Sequence, residues 1–273
     1  MQVDLHTHTR CSDGSLTPGE LIDRAIDAGV DILSITDHDT INAYDDDTIN
    51  LNSTIRLVPG IEFSAQWRGQ GVHILGLNIE LDGAEIQSGI ASQRDARIER
   101  SKLIAERLEK SGIKGSLQVA QKNAGHELVA RTHFAHALVE LGVVNNFKLA
   151  FKKYLGAGKA GDVQTDWAAL QEIVGWIQSA SGVAVLAHPA KYKLTKTKLK
   201  SLVVEFKEAG GQGLEVISGK QSPDVTQYMA KLCEQYEMLA SAGSDFHKPG
   251  QSWSEVGSVS ALPKSCKPVW ENW

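Results

Sequence analysis

Residues 1–39, MQVDLHTHTRCSDGSLTPGELIDRAIDAGVDILSITDHD, read as strand, helix and strand, with metal-binding residue types at the end of each strand. Gln2 to Leu5 suits a short first strand, and DILSIT is a β-branched run of the kind that pairs beside it. Between them, TPGELIDRAIDAG carries the signals of a helix from end to end. Thr17 can cap it, Pro18 suits its first position, Glu20 completes a capping box and Gly29 ends it.

Further strands read outward from this unit at IRLVPGIEF, GVHILGL, GVAVLA, GLEVI and LASAGS. Helices read at TDWAALQEIVGWIQSAS, KTKLKSLVVEFKEAG and SPDVTQYMAKLCEQYE. Such alternation is the βα signature of a parallel sheet or barrel. Residues 84–161 break the rhythm and read as helices only, at AEIQSGIASQRDARIERSKLIAERLEKSG, HELVARTHFAHALVELG and FKLAFKKYLG. The expectation is an α/β barrel from residues 1–83 and 162–273, with 84–161 inserted as a helical subdomain contributing to the substrate pocket.

Composition narrows the function. A net charge of -5 argues against holding nucleic acid through a broad basic surface, so any phosphate site is expected to be local. The basic run KYKLTKTKLK, Lys191 to Lys200, reads first as a solvated helix start and its preceding loop, while its position just after His188 leaves a substrate-guiding role open. Cys11, Cys233 and Cys266 form no CxxC pair, which removes a thiolate zinc site and leaves reduced thiols as the simplest reading. No run approaches the roughly 18 apolar residues of a membrane span, and MQVDLHTH lacks the features of a signal peptide, so a cytoplasmic protein without a membrane partner is expected. No GxSxG motif or P-loop sequence is present, and GAGKAG at 156–161 lies in the all-helical stretch without the strand that a dinucleotide-binding GxGxxG follows.

The polar residues fall in a consistent place. The expected strands end in DLHTH, SITDHD, GIEF, LAHP and GSDFH, and in a barrel those ends share one face. His6 and His8 are two apart, so a strand's alternation points both rings to one side. With Asp13, His38, Glu62, His73, His188, Asp245 and His247 they form a nitrogen and oxygen donor set suited to zinc, manganese or iron. Taken singly the readings differ. Asp13 before Gly14 also fits an ordinary turn, and His73 inside an apolar strand also fits a core histidine satisfied by one hydrogen bond. Glu62 between Ile61 and Phe63 is costly unless paired or metal-bound. Asp37 and Asp39 are expected to orient imidazoles, whereas His126 and His136 in the insertion suit surface or cap positions.

Together HTHTRCSDGSLTP, ITDHDT, GIEFS, VHILG, LAHP and GSDFH resemble the PHP family, named for its polymerase and histidinol phosphatase members. ARTHFAHAL and KKYLGAGKAGDV resemble its bacterial subgroup of 3',5'-nucleotide bisphosphate phosphatases and 5'-3' exoribonucleases, the ribonuclease AM type. This resemblance implies a distorted (β/α)7-type barrel holding up to three divalent ions, manganese first, with zinc or iron as alternatives. By motif, His6, His8, Glu62 and Asp245 would hold one ion, Glu62, His73 and His188 a second, and Asp13, His38 and His247 a third. Asp13, His38, His188 and His247 would carry the catalysis. Arg131 and His133 would take a substrate phosphate, with Lys159 as a further contact or merely part of a flexible glycine-flanked loop. Thr132 stands where the subgroup's pattern has proline.

Three functions follow. The first is a nucleotide phosphatase that also acts on the 5' end of short RNA, by in-line attack on phosphorus while the ions and Arg131 neutralise the equatorial oxygens. Acidic balance then predicts a grip on terminal phosphates and no stable duplex binding. The second is a small-metabolite phosphatase of the histidinol phosphatase kind. The third is a non-enzymatic module that metal merely stabilises.

Overall fold

The computed structural model describes residues 1–49, 54–271 and 273. Its elements run β1 (Val3–Asp4), α1 (Pro18–Asp27), β2 (Ile32–Ile35), β3 (Arg56–Trp67), β4 (Gln70–Leu77), α2 (Ala84–Lys110), α3 (Ser116–Ala124), α4 (Arg131–Glu140), α5 (Phe147–Ala150), α6 (Leu170–Ser179), β5 (Val183–Leu186), α7 (Lys196–Glu208), β6 (Gly213–Ser218), α8 (Pro223–Gln235) and β7 (Leu239–Gly243). The chain divides into two compact units, Met1–Ile90 with Trp167–Trp273, and Ala91–Asp166.

The first unit is a seven-stranded sheet in sequence order, β1 to β7. Hydrogen bonds from Leu5 N to Ala242 O (3.0 Å) and from His8 N to Phe246 O (2.8 Å) join β1 to the β7 end and close the barrel. Each expected strand is present, and α1 carries the Thr17–Glu20 capping box read from the sequence. Apolar strand faces and helix stripes fill the core, with Ile61, Phe63, Ile74, Leu186, Phe206 and Leu214 fully buried.

One strand departs from the parallel pattern of the βα units. β4 runs antiparallel to both β3 and β5. Only Arg68 and Gly69 separate β3 from β4, and both have positive φ (48° and 78°), as in a two-residue hairpin turn. No crossover helix fits into two residues. The hairpin tip is anchored by Glu205 of α7, which accepts from Trp67 Nε1 at 2.8 Å and from Arg68 Nη2 at 2.6 Å.

The second unit has its own core, built from Leu108, Ala120, Phe134, Leu138 and Leu155 among others. α3 lies in a stretch where no helix is expected from the sequence, and α4 starts at Arg131, later than HELVARTHFAHALVELG suggests. After α5 the chain continues through one π-helical turn, Phe151–Leu155. Among the described residues no helix is long and apolar enough to cross a membrane.

Candidate metal centre

Glu62 is the hub of the barrel's carboxyl mouth. Its Oε2 lies 3.4 Å from His6 Nε2, 3.3 Å from His8 Nε2 and 2.9 Å from His38 Nδ1. Its Oε1 lies 2.9 Å from His73 Nδ1 and 3.0 Å from His188 Nε2. One fully buried carboxylate thus faces five imidazoles. His6 and His8 follow β1, His38 follows β2, His188 follows β5, and Asp245 and His247 follow β7. Glu62 lies within β3, bridged to His38 where the two strands run parallel.

His73 comes to this face because β4 is reversed. Its early residues lie at the end where the parallel strands finish, and His73 pairs with Ser64, two residues past Glu62. His73's ring meets Glu62 Oε1 at 2.9 Å, and its side chain keeps 32% exposure at this mouth.

Two further carboxylates complete the set. Asp245 Oδ1 is 3.6 Å from His6 Nε2 and 3.5 Å from His8 Nε2, while Asp13 Oδ1 is 3.3 Å from His247 Nε2 and 3.9 Å from His38 Nε2. The turn reading of Asp13 also holds, because Ser12 N and Gly14 N both donate to Thr9 O. Here the turn delivers the carboxylate. All nine expected ligands fall into four overlapping groups of donor atoms within 4.8 Å of one another, with His6, His8, His38 and Glu62 each shared by two groups.

Electrostatics keep these acids ionised. Burial pushes the Glu62 carboxyl up, but His38, His73 and His6 outweigh it and hold it well below the ordinary carboxylate range. Asp13 and Asp245 are likewise pushed up by burial and held well down, chiefly by His247 and His38 for Asp13 and by His6 for Asp245. The rings divide. Burial, reinforced by the charge of His247, lowers His8 to about 3, whereas His247 rises to about 10 because Asp13 and Asp245 overcome its burial.

The donor set fits divalent cations. Among the described residues, His6 Nε2, both ring nitrogens of His8 and Glu62 Oε2 are buried without a hydrogen-bond partner, and a buried polar atom left so is costly unless something charged faces it. Neutral imidazole nitrogens and ionised carboxylates are the forms that bind metal.

The PHP domain profile matches residues 4–219. The chain belongs to the PHP domain family. Among its PHP relatives, the 3',5'-nucleoside bisphosphate phosphatase of Chromobacterium violaceum is 40% identical over 270 residues, which is 98% of this chain and 95% of that protein. The 5'-3' exoribonuclease Rnm of Escherichia coli K12 is 41% identical over 273 residues, covering 99% of this chain and 93% of that one. A crystal structure from Chromobacterium violaceum, described as an amidohydrolase with bound SO4 and no metal, superposes with a TM-score of 0.89 at 39% identity, covering 99% of this chain and 95% of that one.

Three residues of this PHP site escaped the sequence reading. Glu215 Oε1 lies 3.0 Å from His6 Nδ1, and its Oε2 accepts from His188 N at 2.5 Å. Its signal was present, since GLEVI buries a carboxylate in an apolar strand as GIEF does. Tyr192 OH accepts from His73 N and donates to Ala187 O, each at 2.8 Å, pinning β4 to the turn that carries His188. Lys191 Nζ is 2.7 Å from Asp245 Oδ2, so this first lysine of the basic run is not simply solvated. Lys196–Lys200 do open α7 as expected, with Thr195 as the cap.

Asp37 takes a different task from the one expected. It accepts from Thr9 N (2.8 Å) and from the Thr9 and Ser12 hydroxyls, bracing the loop that carries Asp13. Asp39 accepts from Ser64 N at 2.7 Å and Ser64 Oγ at 2.8 Å. His188, Asp245 and Asp39 all have positive φ (31°, 56° and 54°), unusual for residues with a side chain and characteristic of backbone held at a functional site.

In the helical unit, Arg131 Nη1 lies 4.0 Å from Asp162 Oδ1, and His133 is buried, its Nδ1 accepting from Ala130 N at 3.0 Å. Thr132 occupies the first turn of α4, where proline also fits because those amides have no intrahelical partner. Lys159 is exposed on the loop after the π-helical turn. His126 Nδ1 accepts from Leu128 N at 3.1 Å, a turn role.

Proposed function

We propose that this chain is a metal-dependent phosphoesterase that hydrolyses nucleoside 3',5'-bisphosphates and shortens RNA from its 5' end. The observation that carries the reading is the buried Glu62 carboxylate ringed by five imidazoles, flanked by Asp13 and Asp245. No packing role calls for such a set. The relatives named as a bisphosphate phosphatase and a 5'-3' exoribonuclease, at about 40% identity over nearly full length, support the substrate class.

His6, His8, Glu62 and Asp245 would hold one ion, Glu62, His73 and His188 a second, and Asp13, His38 and His247 a third, with manganese, zinc or iron as the ion this set of six imidazoles and three carboxylates would take. Divalent ions there supply Lewis-acid charge to phosphoryl oxygens and make water nucleophilic near neutral pH. Glu215 would fix the His6 tautomer by accepting a hydrogen bond from its Nδ1–H, which leaves Nε2 free of the proton and facing Glu62. Lys191 places an ammonium at the rim, where the substrate's negative charge arrives. On the helical unit, Arg131 offers a guanidinium for a phosphate. The bond from Ala130 N to His133 Nδ1 fixes the tautomer with the proton on Nε2, a donor for phosphate oxygen.

The test is phosphate release from adenosine 3',5'-bisphosphate and from histidinol phosphate, with manganese-loaded and chelated protein. Manganese-dependent release from the bisphosphate is expected, and release from histidinol phosphate alone would defeat the reading. His6→Ala with Asp245→Ala, still folded and inactive, separates catalysis from a purely structural role for the ions.

A further inference from the structure

The net charge of -5 conceals two opposite halves. Ala91–Asp166 holds 13 Lys and Arg against 8 Asp and Glu, a formal +5, so the barrel unit carries -10. The excess is concentrated. Between Glu140 and Asp162 the chain has four lysines, Lys148, Lys152, Lys153 and Lys159, and no acidic residue. Lys148 in α5 and Lys152 in the π-helical turn are four residues apart on a continuous helical path, so they lie on one side, with Lys153 beside them. All three are exposed. Among the described residues none of these three ammonium groups has an ion-pair or hydrogen-bond partner.

Repulsion among them is uncompensated, which a merely solvated helix face ordinarily relieves with neighbouring acids. The aromatic side chains of this stretch, Phe147, Phe151 and Tyr154, are partly buried and pack against the unit's own core, which leaves the surface to the lysines. Phe147 and Phe151 have ring centroids 5.2 Å apart, and Tyr154 follows on the same turn. Clustered ammonium groups without neighbouring acids are the surface chemistry that tracks the phosphates of a single-stranded polynucleotide.

We infer that Lys148, Lys152 and Lys153 form a docking surface for the phosphodiester backbone of single-stranded RNA. The inference rests on the RNA arm of the proposed function and deepens it. A nucleoside bisphosphate has no chain to lay on this surface, whereas an oligonucleotide has. Binding remains local and modest, in keeping with three contacts rather than a basic face.

The experiment measures KM for a 5'-phosphorylated single-stranded RNA of about 12 nucleotides between roughly 50 and 200 mM salt. It uses the manganese-loaded wild type and the combined Lys148→Gln, Lys152→Gln and Lys153→Gln variant. Each neutralised phosphate contributes about 0.7 to the logarithmic salt slope for single strands, so the variant's slope should be shallower by about 2. The corresponding triple arginine variant should restore it. Equal slopes in wild type and glutamine variant overturn the inference, as does wild-type protein that hydrolyses the bisphosphate and leaves RNA intact. Wild type inactive on both substrates strikes the proposed function itself.

Discussion

Glu215 on β6 and His6 beyond β1 are joined ring to carboxylate, 3.0 Å apart and both fully buried. The second Glu215 oxygen is committed to His188 N, so one side chain sets a ring orientation and a backbone turn at once. A glutamine there offers one acceptor where two are used. In Glu215→Gln either His6 turns its ring or His188 loses its amide partner. We expect metal affinity to fall about 10- to 100-fold, with kcat following. Chelator competition reads the affinity directly, and a variant that binds manganese as tightly as wild type would remove Glu215 from this role.

Charge at the rim gives a second prediction with opposite signs for two ligands. Lys191 Nζ sits 2.7 Å from Asp245 Oδ2, and that Asp245 also faces His6 and His8 through its other oxygen. Lys191→Met removes a positive charge beside a cation site. Affinity for the divalent ion should rise and KM for the phosphoester should rise too, each by about tenfold, or 1.4 kcal/mol. Isothermal titration and steady-state kinetics separate the two. A fall in metal affinity would show instead that Lys191 holds Asp245 in place.

Much of this centre is legible in the sequence because its donors sit at strand ends, where a period of two and an apolar flank make a polar residue conspicuous. His6, His8, Glu62 and His188 all satisfy that pattern. Glu215 satisfies it equally, because GLEVI sets a carboxylate in an apolar strand as GIEF does. The reversal of β4 was encoded in spacing, since the residues between GIEF and GVHILGL are too few for a crossover helix, yet alternation elsewhere suggested a parallel sheet. Lys191 and Tyr192 were hidden for another reason. A lysine-rich loop looks solvated until the fold brings Asp245 and His73 N against it.

Barrel closure and ring placement meet at Gly243. A Cβ there would lie 2.3 Å from His6 Cβ and 2.7 Å from His6 N, so β7 approaches β1 only because the side chain is absent. Gly243→Ala has to push the strands apart, with His6 the first group displaced. The expected cost is about 1–3 kcal/mol of stability, as for other overpacked sites, together with weaker metal binding. Denaturant unfolding and chelator competition on the same preparation check both. Full stability with unchanged metal affinity would mean that the strands yield without moving the ring.

Asp4 provides a pH dependence away from the metal ligands' own titration. It is fully buried in β1, accepting from Ser244 N at 2.8 Å and Gly257 N at 2.9 Å. Burial outweighs those bonds and lifts its carboxyl from 3.8 to about 6. A carboxyl raised in the folded state binds its proton more tightly there than in the unfolded chain. Stability from this group is therefore fully present below about pH 4 and is lost as pH rises through 6, the reverse of a salt-bridged aspartate. A rise of this size corresponds to about 3 kcal/mol. Asp4→Asn cannot ionise and lacks the loss, although it leaves one of the two amides facing a poorer partner, so it should be less stable than wild type at low pH. Comparing unfolding free energies near pH 4 and pH 7, the drop on going to neutral pH should be smaller in the variant by about that amount. An identical drop in both proteins would show that Asp4 stays charged throughout, with Ser244 and Gly257 overcoming its burial.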